Sequence, residues 1–160
     1  MPLSDESVDA VIASEILEHI PNYLAVLEEL WRVLKPGGRL CISVPRQWPE
    51  WVCWQLSEGY RTTRGGHIRI FDATHLAREV VRQGFVLTGR GSAHALHVPY
   101  WWLKCLFWRS DPEPWPVRLY HRLLVWDLMK QPWVTRAIDT LLNPITVSYT
   151  HLTLPTTLQV

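Results

Sequence analysis

The sequence predicts an α/β fold with a doubly wound, mostly parallel sheet, and three observations carry that reading. Val8 to Ala13 is a short apolar run containing β-branched residues, the pattern of a buried parallel strand. Residues 22–34 follow with apolar side chains at helical spacing. Lys35-Pro36-Gly37-Gly38 then turns the chain into a second apolar run, Arg39 to Val44, closed by Pro45. Strand, helix, glycine turn and strand at this length form a βαβ unit, so the two strands are expected to be adjacent and parallel with a right-handed crossover.

Each element has its own signals. Ser14 to Ile20 reads as a turn into a short helix that Pro21 stops. Asn22 can cap the next helix, whose apolar face comprises Leu24, Leu27, Leu30, Trp31 and Leu34, with Glu28 and Arg32 as an i,i+4 pair on the wet side. Gln47 to Ile70 reads as an irregular insertion over the C-terminal edge of the sheet. Asp72 caps a helix reaching about Gln83, with Leu76, Val80 and Val81 inward; Gly84 stops it and Phe85 supplies the apolar contact beyond the stop. Phe85 to Arg90 is a third strand candidate. Val98 to Trp108 suggests a helix with a broad aromatic face, and Pro112, Pro114 and Pro116 a stiff linker. Two further helices are expected over 117–130 and 133–142, the latter broken at Asn143-Pro144.

Composition narrows the function classes. Of 160 residues, 48% are hydrophobic and 19% charged, enough apolar side chain for a packed core. A net charge of +1 gives no electrostatic footprint for nucleic acid. Cys41, Cys53 and Cys105 lack metal-ligand spacing, and their odd number points to reduced thiols in a cytoplasmic setting. No apolar stretch approaches the ~18 residues of a membrane span. Ten tryptophans are the compositional anomaly, four between Trp31 and Trp54 and six between Trp101 and Trp133.

Several segments, in order and at consistent intervals, carry a family resemblance: Leu3-Ser4-Asp5-Glu6-Ser7-Val8-Asp9-Ala10-Val11, Glu15-Ile16-Leu17-Glu18-His19-Ile20, and Leu34-Lys35-Pro36-Gly37-Gly38-Arg39-Leu40, followed by His67-Ile68-Arg69-Ile70-Phe71 and Gln83-Gly84-Phe85. Over residues 3 to about 90 the chain resembles class I S-adenosylmethionine-dependent methyltransferases, in particular the type 11 group that includes the ubiquinone and menaquinone C-methyltransferases. The resemblance implies a Rossmann-like methyltransferase fold, with S-adenosylmethionine at the C-terminal ends of the parallel strands. It implies that Ala13, Ser14 and Glu15 line the methionine and sulfonium side of the cofactor, and that His19 and His67 serve the acceptor as base or orienting groups. The family's Gly-x-Gly turn and ribose-binding acid do not occur in this sequence. The expectation is therefore the C-terminal part of the domain (1–97), entered just before the family's fourth strand, then a Trp-rich helical extension (98–146). The fragment alone is expected to be inactive. From about Val147 the sequence resembles adaptor-derived tails of translated environmental sequence, so 147–160 is expected to be a non-native disordered tail; a natural β-prone tail is the alternative.

Arg61-Thr62-Thr63-Arg64-Gly65-Gly66-His67-Ile68-Arg69 reads as a cradle for an anionic acceptor. Arg64 and Arg69 would supply the charge and the glycines the backbone N–H groups; the alternative is a solvated basic loop. His94 and His97 lack a third ligand at useful spacing, so no metal is expected. Residues 99–109 are too short to span a bilayer. They could make peripheral contact with a membrane's inner face, suiting a lipid-linked or glycolipid acceptor, or form a lid or dimer contact. The partner expected in either case is a small-molecule acceptor. A non-catalytic membrane-facing module is the main rival reading. A nicotinamide-dependent oxidoreductase is a weaker one, lacking a Tyr-x-x-x-Lys pair.

Overall fold

The computed structural model describes residues 1–91, 95–130, 132–146 and 154–155. Its elements in chain order are β1 (Val8–Ser14), a single 3-10 turn at Leu17–His19, α1 (Tyr23–Val33), β2 (Leu34–Ser43), α2 (Gln47–Leu56), α3 (Glu58–Arg61), α4 (Ala73–Arg82), α5 (His97–Leu106), α6 (Trp115–Lys130), α7 (Trp133–Thr146) and β3 (Leu154–Pro155).

β1 and β2 pair in parallel, as the βαβ pattern requires, with Ala10 opposite Arg39 and Ser14 opposite Ser43. Between the Val8–Leu34 and Ala10–Arg39 pairings β1 advances two residues while β2 advances five, so the expected Lys-Pro-Gly-Gly turn is a bulge inside the strand's bounds. Gly37 sits there at φ 78°, a conformation side-chain-bearing residues avoid. The sheet order is β1-β2-β3, which leaves β1 at an edge. An edge position for β1 accords with entry just before the family's fourth strand; the departure from a buried strand is Ile12, 76% exposed on the face opposite buried Ala13. β3 pairs antiparallel with Arg39 and Leu40; the rest of the 147–160 tail lies outside the described residues.

Asn22 caps α1 through its side-chain oxygen, which accepts from the Ala25 N–H. Leu27, Leu30 and Val33 are the buried residues of this helix, while Leu24 is 38% exposed. The inward stripe is thus rotated toward Val33 relative to the expected face. Arg32 pairs with Glu29 and Asp5 rather than with Glu28. Asp72 caps α4 by accepting from the His75 N–H. Leu76, Ala77 and Val80 of α4 join Leu27, Leu30, Leu40, Ile42 and Phe85 in one core, and Val81 points outward. One hundred degrees per residue places position 81 off the stripe that 76, 77 and 80 define.

Gly84 ends α4 at φ 101°, and a Cβ there would lie 3.0 Å from the Trp31 ring. Phe85 then plugs the core edge-to-face on Trp31, at 4.8 Å between ring centroids. The third expected strand does not form: residues 85–90 pair with no described strand, although Phe85 and Leu87 pack on the core. The insertion over 47–70 is also more ordered than expected, since it contains α2 and α3. Pro49 falls within the first turn of α2, where its missing N–H has no helical partner to lose. α7 continues through Pro144 instead of breaking at Asn143, and α6 begins at Trp115, so Pro116 belongs to its first turn rather than to the expected linker. No described helix is long and apolar enough to cross a membrane.

Candidate active site

A cavity of about 450 Å³ opens beyond the C-terminal ends of β1 and β2. Glu15, His19 and Pro45 supply its sheet-side wall, α2 and the 60–67 loop face them, and Trp101, Trp102 and Trp108 close it from α5 and beyond. The aromatic face of α5 therefore has an internal use. The Trp102 indole N–H donates to the Pro49 carbonyl at 3.2 Å, and Trp108 lies against Gly59, where an added Cβ would come within 2.5 Å of the ring. Trp101 remains 43% exposed and Leu106 59% exposed.

The strand ends set the first group of side chains. Ala13 is buried in the core, so its side chain belongs to the packing under the cavity. Ser14 Oγ lies 2.8 Å from Ser43 Oγ across the β1–β2 pair. Glu15 follows with a left-handed backbone (φ 51°) held by its N–H to the Ser43 carbonyl. A left-handed carboxylate residue at a strand end is the kind of local strain that collects at functional sites. Ser43 Oγ donates to Glu15 Oε1 at 3.4 Å. Burial pushes the Glu15 carboxyl up to about 8, with the Glu18 charge adding to the effect while His67 and Ser43 oppose it.

The second group centres on His67. Its Nδ1 lies 2.6 Å from Glu50 Oε1, and its Nε2 faces Glu18 Oε1 at 3.8 Å. Burial alone would lower this imidazole; the Glu50 hydrogen bond, then the charges of Glu50, Glu18 and Glu15, outweigh it and raise it. Glu50 is itself clamped, accepting from the Trp54 indole at 3.0 Å and the Tyr60 hydroxyl at 3.2 Å. Burial holds the Tyr60 phenol well above its ordinary range, reinforced by the Glu50 charge. His19 stands edge-on to His67 at 4.9 Å, with Nδ1 3.1 Å from the Gly66 carbonyl and Nε2 3.9 Å from Glu18 Oε1. Burial also raises the Glu18 carboxyl. Cys53 borders the same cavity, but its thiol is pushed up by its contact with Cys105 and by burial, which disfavours the nucleophilic thiolate.

The structure thus brings Glu15, His19, His67 and Arg64 to one cavity. Arg69 does not join them. Its guanidinium lies over Tyr23 at 4.8 Å and donates to the Pro21 carbonyl, so cation–π stacking and a backbone bond turn it away from the expected anion cradle. The Gly66 N–H, expected to face an anion, instead donates to Thr63. His94 lies outside the described residues. Glu18, Glu50 and Tyr60 are site residues that sequence reasoning did not select. Glu18 had a signal, standing three residues after Glu15 and next to His19; Glu50 had none until α2 was seen to be a helix facing the loop.

A parallel pair whose C-terminal ends open onto a cavity of titratable groups defines the doubly wound α/β class, in which ligands sit at that end of the sheet. A methyltransferase-domain family matches residues 3–89, and the chain belongs to that family. Cycloartenol-C-24-methyltransferase 1 of Oryza sativa subsp. japonica is 36% identical over 76 residues, covering 48% of this chain and 20% of the relative. Demethylmenaquinone methyltransferase of Listeria welshimeri is 48% identical over 44 residues, covering 27% and 19%. Thus the chain spans about a fifth of the length of these curated relatives. Among solved structures, a SAM-dependent methyltransferase from Thermotoga maritima superposes with a TM-score of 0.51 at 20% identity, covering 58% of this chain and 45% of that one. That likeness supports the Rossmann-like fold.

Proposed function

We propose that this chain forms the acceptor-side wall of an S-adenosylmethionine-dependent methyltransferase acting on a small molecule with an apolar portion. The observation that carries the proposal is Glu15: a partly buried carboxylate, pushed up to about 8, at the C-terminal end of β1 and in one cavity with His19 and His67. A carboxylate disfavoured by desolvation is relieved by a cation, so the residues present fit the sulfonium end of the cofactor. When bound, the cofactor supplies an already activated methyl group, which leaves the protein mainly a positioning task.

His19 and His67 stand on the acceptor's side. The Gly66 carbonyl accepts a hydrogen bond from His19 Nδ1–H, leaving Nε2 unprotonated to accept a proton from a hydroxyl or enol. Glu50 orients the His67 ring, and Arg64 offers charge at the rim to an anionic group. Trp101, Trp102 and Trp108 give an apolar wall, which suits an isoprenoid-like or aromatic acceptor better than a small polar one. The exposed Trp101 and Leu106 would let α5 rest on the cytoplasmic face of a membrane that delivers such an acceptor. The test is calorimetric titration with S-adenosylmethionine of the protein encoded by the open reading frame containing this chain, wild type and Glu15→Ala. A micromolar dissociation constant, weakened at least ten-fold by the substitution, is the expected result. No binding by the wild-type protein would overturn the proposal.

A further inference from the structure

We propose that Glu18, His19 and His67 form a binding site for a divalent first-row transition-metal ion. One ligand atom from each of the three lies within 4.8 Å of the others. Both histidines direct Nε2 at the same atom, Glu18 Oε1, at 3.9 Å and 3.8 Å. At metal–ligand distances of about 2.1 Å, neighbouring ligands stand about 3.0–3.4 Å apart. The two Glu18–histidine separations therefore need to shorten by less than about 1 Å, and the two histidine nitrogens by up to about 1.8 Å, which takes rotation of the imidazole rings as well as movement of the Glu18 side chain.

Two independent observations point to an ion. Glu18 is only 1% exposed, and neither of its carboxylate oxygens receives a hydrogen bond. A buried acceptor left without a donor is costly, and structures that keep one have a reason for it. The second observation is the set of bonds behind the histidines. His67 Nδ1 is held by the Glu50 carboxylate at 2.6 Å and His19 Nδ1 by the Gly66 carbonyl at 3.1 Å. Ligating histidines use this arrangement: the far nitrogen donates to a carboxylate or carbonyl, which fixes the tautomer and leaves the near nitrogen's lone pair for the metal. Glu50 is in turn oriented by Trp54 and Tyr60.

Two imidazoles and one carboxylate form a borderline donor set suited to Zn²⁺, Fe²⁺ or Co²⁺ rather than to Mg²⁺ or Ca²⁺. His19 and His67 also line the cavity, so coordination positions not filled by protein would open toward the acceptor. The chemistry such a site supplies is acidification of a coordinated hydroxyl, replacing proton acceptance by His19. The site stands without the methyl-transfer reading, since its geometry comes from this chain alone.

The test is Co²⁺ titration of the 160-residue chain without S-adenosylmethionine, followed by visible d–d absorption and thermal unfolding. The expected result is one Co²⁺ per chain and a rise in unfolding temperature, with Zn²⁺ competing for the site. Glu18→Gln and His67→Ala should each weaken binding at least about ten-fold and abolish the thermal shift. His75→Ala, at an exposed surface histidine, should change neither. Glu18→Gln is nearly isosteric, so its circular dichroism should match wild type and separate lost binding from lost folding. Absence of saturable binding below millimolar Co²⁺, or an affinity unchanged by Glu18→Gln and His67→Ala, would overturn the proposal. Loss of methyl transfer in the longer protein would not bear on it.

Discussion

Replacing Glu15 with glutamine should make the protein more stable, and the gain should grow with pH. The Glu15 carboxyl has its pKa raised from 4.5 to about 8, chiefly by burial and next by the Glu18 charge. Between those values the native chain keeps a proton that the unfolded chain has released. Stability therefore falls as pH rises through this window, by at most about 1.4 kcal/mol per unit for one proton. The full interval gives an upper bound of about 5 kcal/mol above pH 8, and partial exposure reduces it, so a penalty of about 1–3 kcal/mol is expected. Glutamine keeps the shape and can still accept from Ser43 Oγ, as Glu15 does at 3.4 Å. Urea unfolding of both chains at pH 5, 6.5 and 8 measures the difference directly. The curves should nearly coincide at pH 5 and separate progressively toward pH 8, with the variant more stable. A constant offset across the range, or a variant less stable at pH 8, would refute the account of Glu15 as a desolvated carboxylate.

Phe85→Ala should cost about 3–5 kcal/mol in thermal or urea unfolding, because it removes a side chain that is 2% exposed and its edge-to-face contact with Trp31. Arg69→Ala should lower stability by about 1–2 kcal/mol through the lost stacking on Tyr23, while leaving the acceptor KM of the longer protein unchanged; Arg64→Ala should raise that KM with little effect on stability. His67→Ala in the longer protein should reduce turnover by about 10²–10⁴-fold with cofactor affinity nearly unaltered, as stopped-assay rates and calorimetry would show. The 160-residue chain by itself should bind S-adenosylmethionine more weakly than micromolar, because among the described residues Glu15 alone is proposed to face the cofactor in the cavity.

The fold was legible where local pattern and tertiary context agree. The β1–α1–β2 unit, the Asn22 and Asp72 caps and the Gly84 stop all rest on side chains acting within a few residues of themselves. Errors arose where a residue's state depends on a distant neighbour. Ile12 belongs to an apolar run that reads as buried on both faces, yet it lies on the open face of an edge strand. Residues 85–90 have the composition of a strand, yet they pair with no described strand. Arg69 carries the same charge as Arg64, and only the position of Tyr23, 46 residues earlier in the chain, decides that it stacks rather than reaching the cavity.

The candidate site divides along the same line, and the division explains why the histidines were readable and their carboxylates were not. His19 and His67 stand in segments whose motif character is visible in the sequence, and both reach the cavity. Glu18 reads as an ordinary acid on a short turn, because the segment it meets lies about fifty residues later: the Ile68 N–H donates to the Glu18 carbonyl at 3.0 Å, the Gly66 carbonyl accepts from His19 Nδ1, and His67 Nε2 faces the Glu18 carboxylate. Glu50 reads as one charge in a Trp-rich insertion until α2 aligns it with Trp54 one turn on and sets it against His67, 17 residues later. Spacing rules search for ligands close together in the chain, so they weighed His94 with His97 and passed over a triad split between residues 18–19 and 67. The crossover from β1 to β2 brings the first part to the strand ends, and the loop after α3 returns the second. A site assembled in that way is a property of the parallel sheet's topology, which places chemistry from separate segments at one end of the strands.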